Sequence, residues 1–338
     1  MALKNNNSGK TAPQLLDPFG RHVEYVRLSV TDKCNLRCFY CLPEGFREFE
    51  EPEHWLRFDE IERVIGAFSE LGVNRVRLTG GEPLVRKDMP LLASRLAALP
   101  GVDDLSLSTN ATLLARHAES LQGAGISRIN VSLDTLRPER FRAITGGGQL
   151  GPVLAGLMAA KSAGFAPIKI NMLALKGIND DEFEDMVEFC LEHDFTLRFI
   201  EAMPVGSTGR NASQHYLDLG TVRKRLAQRY ELLPGVMPGG GPARYVQVGG
   251  TELRIGFITP MSQHFCATCN RVRLSVDGTL YLCLGQDHKY ELRPLLRQGV
   301  SDAGLKDAII EALALKPERH DFLDKPGQVV RFMSMTGG

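Results

Sequence analysis

No stretch of about eighteen apolar residues occurs in this sequence, so no segment is suited to cross a bilayer as a helix. Net charge is missing too, because 40 Lys and Arg residues balance 40 Asp and Glu residues. No global field therefore draws nucleic acid or a membrane surface, although a local basic cluster can still hold a small anion. The segment from Met1 to Gln14 is polar and lacks the apolar run of a secretory leader, and residues 1–18 are expected to form a mobile tail. The 7 cysteines in 338 residues are too few for a disulfide framework. With no leader, the expected location is cytoplasmic, where clustered thiols point to metal rather than to disulfides. No Gly-x4-Gly-Lys-Ser/Thr motif is present, so a nucleotide site in this chain is not a P-loop. Gly146-x-Gly148-x2-Gly151 has the spacing of a dinucleotide fingerprint but follows a helix-like stretch rather than a strand, and that context rules it out.

What the sequence does contain is a regular alternation. Strand-like runs at 23–31, 75–79, 104–109, 128–133, 168–173 and 196–201 are separated by amphipathic helical stretches. Helices are expected at 59–71, opening on a capping box of Asp59 with Glu62, and near 89–99, 113–122, 153–163, 181–193 and 219–229. Successive βα units imply a parallel sheet with right-handed crossovers and chemistry at the carboxyl ends of its strands. After Pro234 the texture changes. Residues 238–242 read as a linker, followed by strands at 245–248 and 252–257, a hairpin of 271–276 with 279–282, and helices near 290–298 and 302–315. Residues 333–338 read as a short tail. The expected architecture is an α/β fold: a partial (β/α)6 TIM-like barrel over residues 19–233, with a C-terminal α+β extension over 234–338 that closes it.

The first three cysteines, Cys34-x3-Cys38-x2-Cys41, lie in the loop directly after the first strand. Thiolates are the usual ligands of iron–sulfur clusters, and a cubane normally takes four. Three in one loop leave an iron open for an exogenous ligand; a zinc site completed by a distant His is the alternative. The stretch Cys34-Asn35-Leu36-Arg37-Cys38-Phe39-Tyr40-Cys41 resembles the signature of the radical SAM superfamily. The resemblance implies a [4Fe–4S] cluster on these cysteines whose open iron binds S-adenosylmethionine (SAM). One electron from a low-potential donor then releases a 5′-deoxyadenosyl radical. Thr79-Gly80-Gly81-Glu82-Pro83 resembles the family's glycine-rich motif for the methionyl end of SAM, with Glu82 expected to pair with its ammonium group. By the same resemblance Tyr40, Gly81, Ser132 and Met203 would contact SAM, Met203 beside the adenine.

A second set, Cys266-x2-Cys269-x13-Cys283, spans the C-terminal hairpin. A zinc ribbon would need His264 or His288 as a fourth ligand; beside the first set, a second three-cysteine cluster is the better reading. Cys190 stands alone on an apolar helix face and reads as a buried structural thiol. The run Phe265-Cys266-Ala267-Thr268-Cys269-Asn270-Arg271-Val272-Arg273 is similar to the C-terminal signature of the molybdenum cofactor biosynthesis protein A family, the GTP 3′,8-cyclases. Phe19-Gly20-Arg21, Ile168-Lys169-Ile170-Asn171 and the terminal Gly337-Gly338 agree with it. The family relationship implies two [4Fe–4S] clusters, the second binding the guanine of GTP, and a double-glycine tail reaching into the active site.

The implied reaction is that of a lyase. The SAM-derived radical takes the ribose 3′ hydrogen of GTP, and C3′ attacks C8. The product is (8S)-3′,8-cyclo-7,8-dihydroguanosine 5′-triphosphate, the first step of molybdenum cofactor biosynthesis. Hand-off to a cyclic pyranopterin monophosphate synthase and a homodimer follow from the same resemblance. Arg271 and Arg273 alternate on one strand, so both can face one cavity, and they are the expected catalytic pair. Arg21, Arg77, Thr109, Lys169 and Val272 join them as expected GTP contacts, the arginine forks suiting phosphate oxygens. Arg75 stands where relatives are expected to carry Lys, and no role is assigned to it. His22, His117, His193 and His320 have no constellation around them and read as surface or helix residues. The rival readings are a radical SAM peptide maturase with an auxiliary cluster, and a zinc-stabilised α/β protein without enzymatic activity.

Overall fold

The computed structural model describes residues 14–237 and 241–337; residues 1–13 of the expected tail, 238–240 of the expected linker, and Gly338 lie outside the described residues. Six parallel strands follow one another in space as in sequence: β1 (Tyr25–Ser29), β2 (Arg75–Thr79), β3 (Asp104–Thr109), β4 (Arg128–Ser132), β5 (Ile168–Ala174) and β6 (Thr196–Glu201). Each alternates apolar with polar side chains. In β1, Val26 and Leu28 are fully buried and belong to the apolar core, while Tyr25, Arg27 and Ser29 occupy the opposite face. The helix Phe58–Glu70 turns Ile61, Val64, Ile65 and Phe68 into that core. Burying Phe68 alone stabilises the fold by about 2 kcal/mol. This helix begins one residue before the expected start. Its cap is the Arg57 N–H donating to Glu60 Oε2 at 2.7 Å, while Asp59 pairs outward with Arg57 and Glu62 accepts from Arg95. The expected Asp59–Glu62 box therefore does not form. The helix expected at 113–122 is likewise broken into a 3-10 turn, Leu114–Arg116, and a short helix, Ala118–Gly123.

The C-terminal part does not stack on the barrel as a separate layer. It lengthens the same sheet at both edges, giving 12 strands. Beyond β6 lie β7 (Leu232–Gly235), β8 (Arg244–Val248) and β9 (Arg254–Ile258), with β9 parallel to β6. Outside β1 lie β10 (Arg271–Leu274), β11 (Thr279–Tyr281) and β12 (Lys289–Glu291), with β10 parallel to β1. Among the described residues β9 and β10 do not pair, so hydrogen bonds do not close the barrel; the chain at 259–270 links them. Strand β7 escapes a reading of the sequence because it contains Pro234, which an edge strand tolerates. The segment expected to start a helix near 290 forms β12 first, and the helix begins only at Arg293.

Packing begins at residue 15 and extends to residue 336. Leu15 is buried, and the Val23 N–H donates to its carbonyl at 2.8 Å, so packing begins ahead of the anticipated boundary at residue 18. Met333–Thr336 forms a helical turn with Ser334 and Thr336 buried. No helix among the described residues is long and apolar enough to cross a membrane.

Candidate active site

The inner faces of neighbouring strands are in register, and that register gathers charge. Tyr25 and Arg27 of β1 lie opposite Arg75 and Arg77 of β2 on one side and Arg271 and Arg273 of β10 on the other. A cavity enclosing about 1060 Å³ of space, part of it open to solvent, is lined by Tyr25, Arg27, Arg77, Asn171, Arg198, Met203, Arg271, Val272 and Arg273, and by all three C-terminal cysteines. A smaller cavity adjoins it through Tyr25, Arg77 and Arg198 and adds Arg75, Arg128 and Lys169. Buried polar atoms in folded proteins almost always have partners. Here Tyr25 Oη, Arg27 Nε, Asn171 Oδ1 and Arg198 Nε have none. Burial pushes Arg27 down to about 9 and Arg198 down to about 10. Burial first, then the charges of Arg198, Arg128 and Arg77, hold Lys169 at about 7. Arg75 and Arg128 pair with Asp104, whereas among the described residues Arg27, Arg77, Lys169 and Arg198 have no carboxylate partner; such a buried cationic set is costly alone and favourable around a polyanion.

All seven cysteines are free thiols. Cys34, Cys38 and Cys41 occupy the loop after β1, where burial raises each of them, Cys41 to about 12, and Cys38 is further raised by its two neighbours. The Leu36 N–H donates to Cys34 Sγ at 3.4 Å, and Asn110 Nδ2 lies 3.8 Å from the same sulfur. Burial also raises Cys266 and Cys283. Cys269 is different. Burial pushes it up, but the charges of Arg271 and Lys316 more than offset this and hold it at about 7. Among the described residues no three His, Cys, Asp or Glu side chains are drawn together tightly enough to hold a single metal ion. The donor chemistry of each loop, three unbridged thiols with amide or cationic donors on their sulfurs, fits an iron–sulfur cluster. Of the two histidines expected for zinc, His264 has its Nδ1 facing His320 Nε2 at 3.4 Å, and His288 is exposed.

Residues 28–190 match the Radical SAM superfamily, and residues 195–322 match the family described as Molybdenum Cofactor Synthesis C. A GTP 3′,8-cyclase of Ectopseudomonas mendocina is 48% identical over 96% of this chain and 99% of its own length. The GTP 3′,8-cyclase 1 of Pseudomonas aeruginosa is 49% identical, also over 96% of this chain and 99% of its own. The chain belongs to the GTP 3′,8-cyclase family. Among solved structures, Streptococcus suis SuiB bound to S-adenosylmethionine aligns with a TM-score of 0.60 at 17% identity, covering 88% of this chain and 73% of that one. That likeness is one of fold, an α/β sheet that stays open.

Within this GTP 3′,8-cyclase family member, the structure sorts the residues singled out from sequence. Arg77, Met203, Arg271, Val272, Arg273 and the second cysteine set share the main cavity, and Lys169 faces the adjoining one. Arg21 does not reach either. Its Nε donates to Asp17 at 2.5 Å, Nη1 to the carbonyls of Cys266 at 2.9 Å and Glu318 at 2.6 Å, and Nη2 to that of Pro317 at 2.7 Å. Its donors are spent fastening the chain start to the Cys266 loop. Arg27, six residues on, occupies the cavity instead; its signal in the sequence is the Tyr25-Arg27-Ser29 alternation along β1. Arg198, on β6, was missed as well.

Thr109 is also corrected. Its hydroxyl donates to Glu82 Oε1 at 2.7 Å and accepts from the Ala111 N–H at 3.0 Å. Glu82 itself is fully buried, accepting from Thr109, from the Asn110 N–H at 2.7 Å and from the Leu84 N–H at 3.0 Å, so it is not free to meet an ammonium group. It fixes the loops after β2 and β3 to one another. Gly81 does permit close backbone approach, since a Cβ there would fall 2.6 Å from the Asp32 carbonyl. Tyr40 donates its hydroxyl to Asp134 at 2.6 Å, and Ser132 is exposed at the end of β4. His320, expected at the surface or in a helix, is buried and lines the cavity, because the segment after Lys316 folds back over the second cysteine set. Glu201, at the carboxyl end of β6, accepts from the N–H groups of Met261 at 2.9 Å and Ser262 at 3.0 Å and so orients the loop that leads to Cys266.

Proposed function

We propose that this chain is a GTP 3′,8-cyclase, a lyase converting GTP to (8S)-3′,8-cyclo-7,8-dihydroguanosine 5′-triphosphate with SAM, the first step of molybdenum cofactor biosynthesis. The observation that carries the reading is the shared cavity: Cys266, Cys269 and Cys283 open onto the same space as Arg27 and Arg198, whose buried Nε atoms have no partner. Cys34, Cys38 and Cys41 would hold a [4Fe–4S] cluster, which would supply the electron for reductive cleavage of SAM. Tyr40, Gly81 and Ser132 hold SAM at the carboxyl ends of the strands, and Met203, which lines the cavity, contacts its adenine. Cys266, Cys269 and Cys283 would hold a second [4Fe–4S] cluster, which would supply a binding site for the guanine.

Arg27, Arg77, Lys169 and Arg198 bind the triphosphate. Arg271 and Arg273 then orient base against sugar, supplying the proximity that ring closure between C3′ and C8 needs. A low-potential donor provides electrons, and the product passes to a cyclic pyranopterin monophosphate synthase; a homodimer and a cytoplasmic location accord with the family and with seven free thiols. Anaerobic enzyme given SAM, a reductant and each nucleoside triphosphate in turn tests the reading. The cyclised product is expected from GTP alone. A colourless zinc protein, or equal turnover of ATP, overturns it.

A further inference from the structure

Lys316 lies in the segment after the helix Asp302–Leu313 and is 3% exposed. Its ammonium has three N–H donors, and three acceptors surround it. These are the Arg271 carbonyl at 2.9 Å, the Leu282 carbonyl at 2.7 Å and Cys269 Sγ at 3.9 Å. Arg271 follows the Cys266–Cys269 pair by two residues, and Leu282 immediately precedes Cys283, so one side chain ties together the two chain segments that carry the second thiol set. Among the described residues no carboxylate pairs with it. A buried ammonium with only carbonyl partners is expensive. The counter-charge that is missing from the protein is present in the neighbouring sulfurs once they are thiolates.

Arg271 also faces Cys269, but it is only half-buried, stacks over Phe265 at 5.2 Å and lines the cavity, so bound substrate can draw it away. Lys316 is pinned by its carbonyls and cannot follow. The strap it begins is itself anchored. Arg21 holds the carbonyls of Pro317 and Glu318, and the His320 backbone N–H donates to Cys266.

We propose that Lys316 is a positioning residue for the second iron–sulfur cluster, holding a fixed positive charge and a hydrogen bond on Cys269 that raise the cluster's reduction potential. The proposal rests on the two-cluster reading above. Hydrogen bonds to cluster sulfurs and nearby charge are recognised determinants of potential, and adding an electron to an anionic cluster is favoured beside a cation.

The test uses anaerobically reconstituted holoprotein, with Lys316→Gln removing the charge and Lys316→Arg keeping it. Redox titration followed by electron paramagnetic resonance is expected to show the second cluster of Lys316→Gln shifted to more negative potential, that of Lys316→Arg close to wild type, and the first cluster unmoved in both. A merely structural lysine would change iron content or melting temperature without separating the two variants in potential. Should Lys316→Gln retain too little second cluster to titrate, the rate of iron release to a chelator decides, with severalfold faster release from Gln than from Arg expected. Equal potentials, or equal release rates, overturn the proposal while leaving two clusters in the wild type. A wild type holding one cluster, or zinc at the second set, overturns both readings.

Discussion

Arg273 Nη1 lies 3.1 Å from the carbonyl oxygen of Thr336 and donates to that of Gly337 as well. The end of the chain is thereby bound to a cavity-lining guanidinium. Gly337 has φ +71, and a Cβ placed on it would collide with the Thr79 side chain at the end of β2. Gly337→Ala is expected to expel the tail and lower turnover of GTP by roughly 10- to 100-fold, the equivalent of about 1–3 kcal/mol of backbone strain and lost contact. Iron content should not change. Wild-type kcat in this variant would sever the tail from the reaction.

Two arginines six residues apart should fail differently. Arg27→Ala removes a cavity cation and is expected to weaken GTP binding by roughly 10- to 100-fold, as a charge-assisted hydrogen bond of about 1.5–3 kcal/mol implies. Arg21→Ala frees the Cys266 loop, and its expected signature is lost iron with GTP affinity per folded, iron-replete molecule nearly intact. Equilibrium dialysis and iron counting on both variants separate the two roles; the reverse pattern would refute the assignment.

Cys283→Ser should remove one cluster and leave the other, since Cys34, Cys38 and Cys41 occupy an independent loop. Uncoupled SAM cleavage is expected to survive while GTP turnover is lost. Retention of two clusters, measured as iron and sulfide per chain, would mean a different ligand set.

Lys169 carries a pH signature. Held at about 7 in the free protein by burial and neighbouring cations, it is about half charged at neutrality. A phosphate beside it favours the charged form, so binding GTP draws a proton in, and affinity falls as pH rises above about 7. Calorimetry at about pH 8 in buffers of different ionisation enthalpy should record this uptake. Lys169→Met should abolish it.

Glu82 offers the matching test in stability. Burial raises it to about 7, above the usual carboxylate range. Its protonation therefore contributes stability that is complete at acid pH and is lost as pH rises through about 7. Glu82→Gln is expected to flatten that slope in thermal melts. It should also cost about 1–3 kcal/mol, because an amide N–H₂ replaces an acceptor facing three donors. An unchanged slope would place the titration elsewhere.

The cysteine sets, the six βα units and the Arg271/Arg273 alternation could be read from the sequence because each is local. Ligand spacing within a loop, apolar periodicity within a helix and alternation along a strand depend on neighbours a few residues away. The sequence by itself thus determined where the thiols sit and that the chemistry gathers at one end of a parallel sheet. Tertiary structure decided which polar residues face that chemistry. Arg21 and Arg27 are the same residue type six positions apart. One is drawn off by the carbonyl of Glu318, 297 residues away, and the other is carried into the cavity by its register with Arg77 and Arg273. Glu82 and Thr109 satisfy each other only because β2 and β3 lie side by side, and Lys316 finds Cys269 only because the chain folds back over the hairpin. Long-range contacts of this kind are set by the packing of whole elements, and no local pattern encodes them.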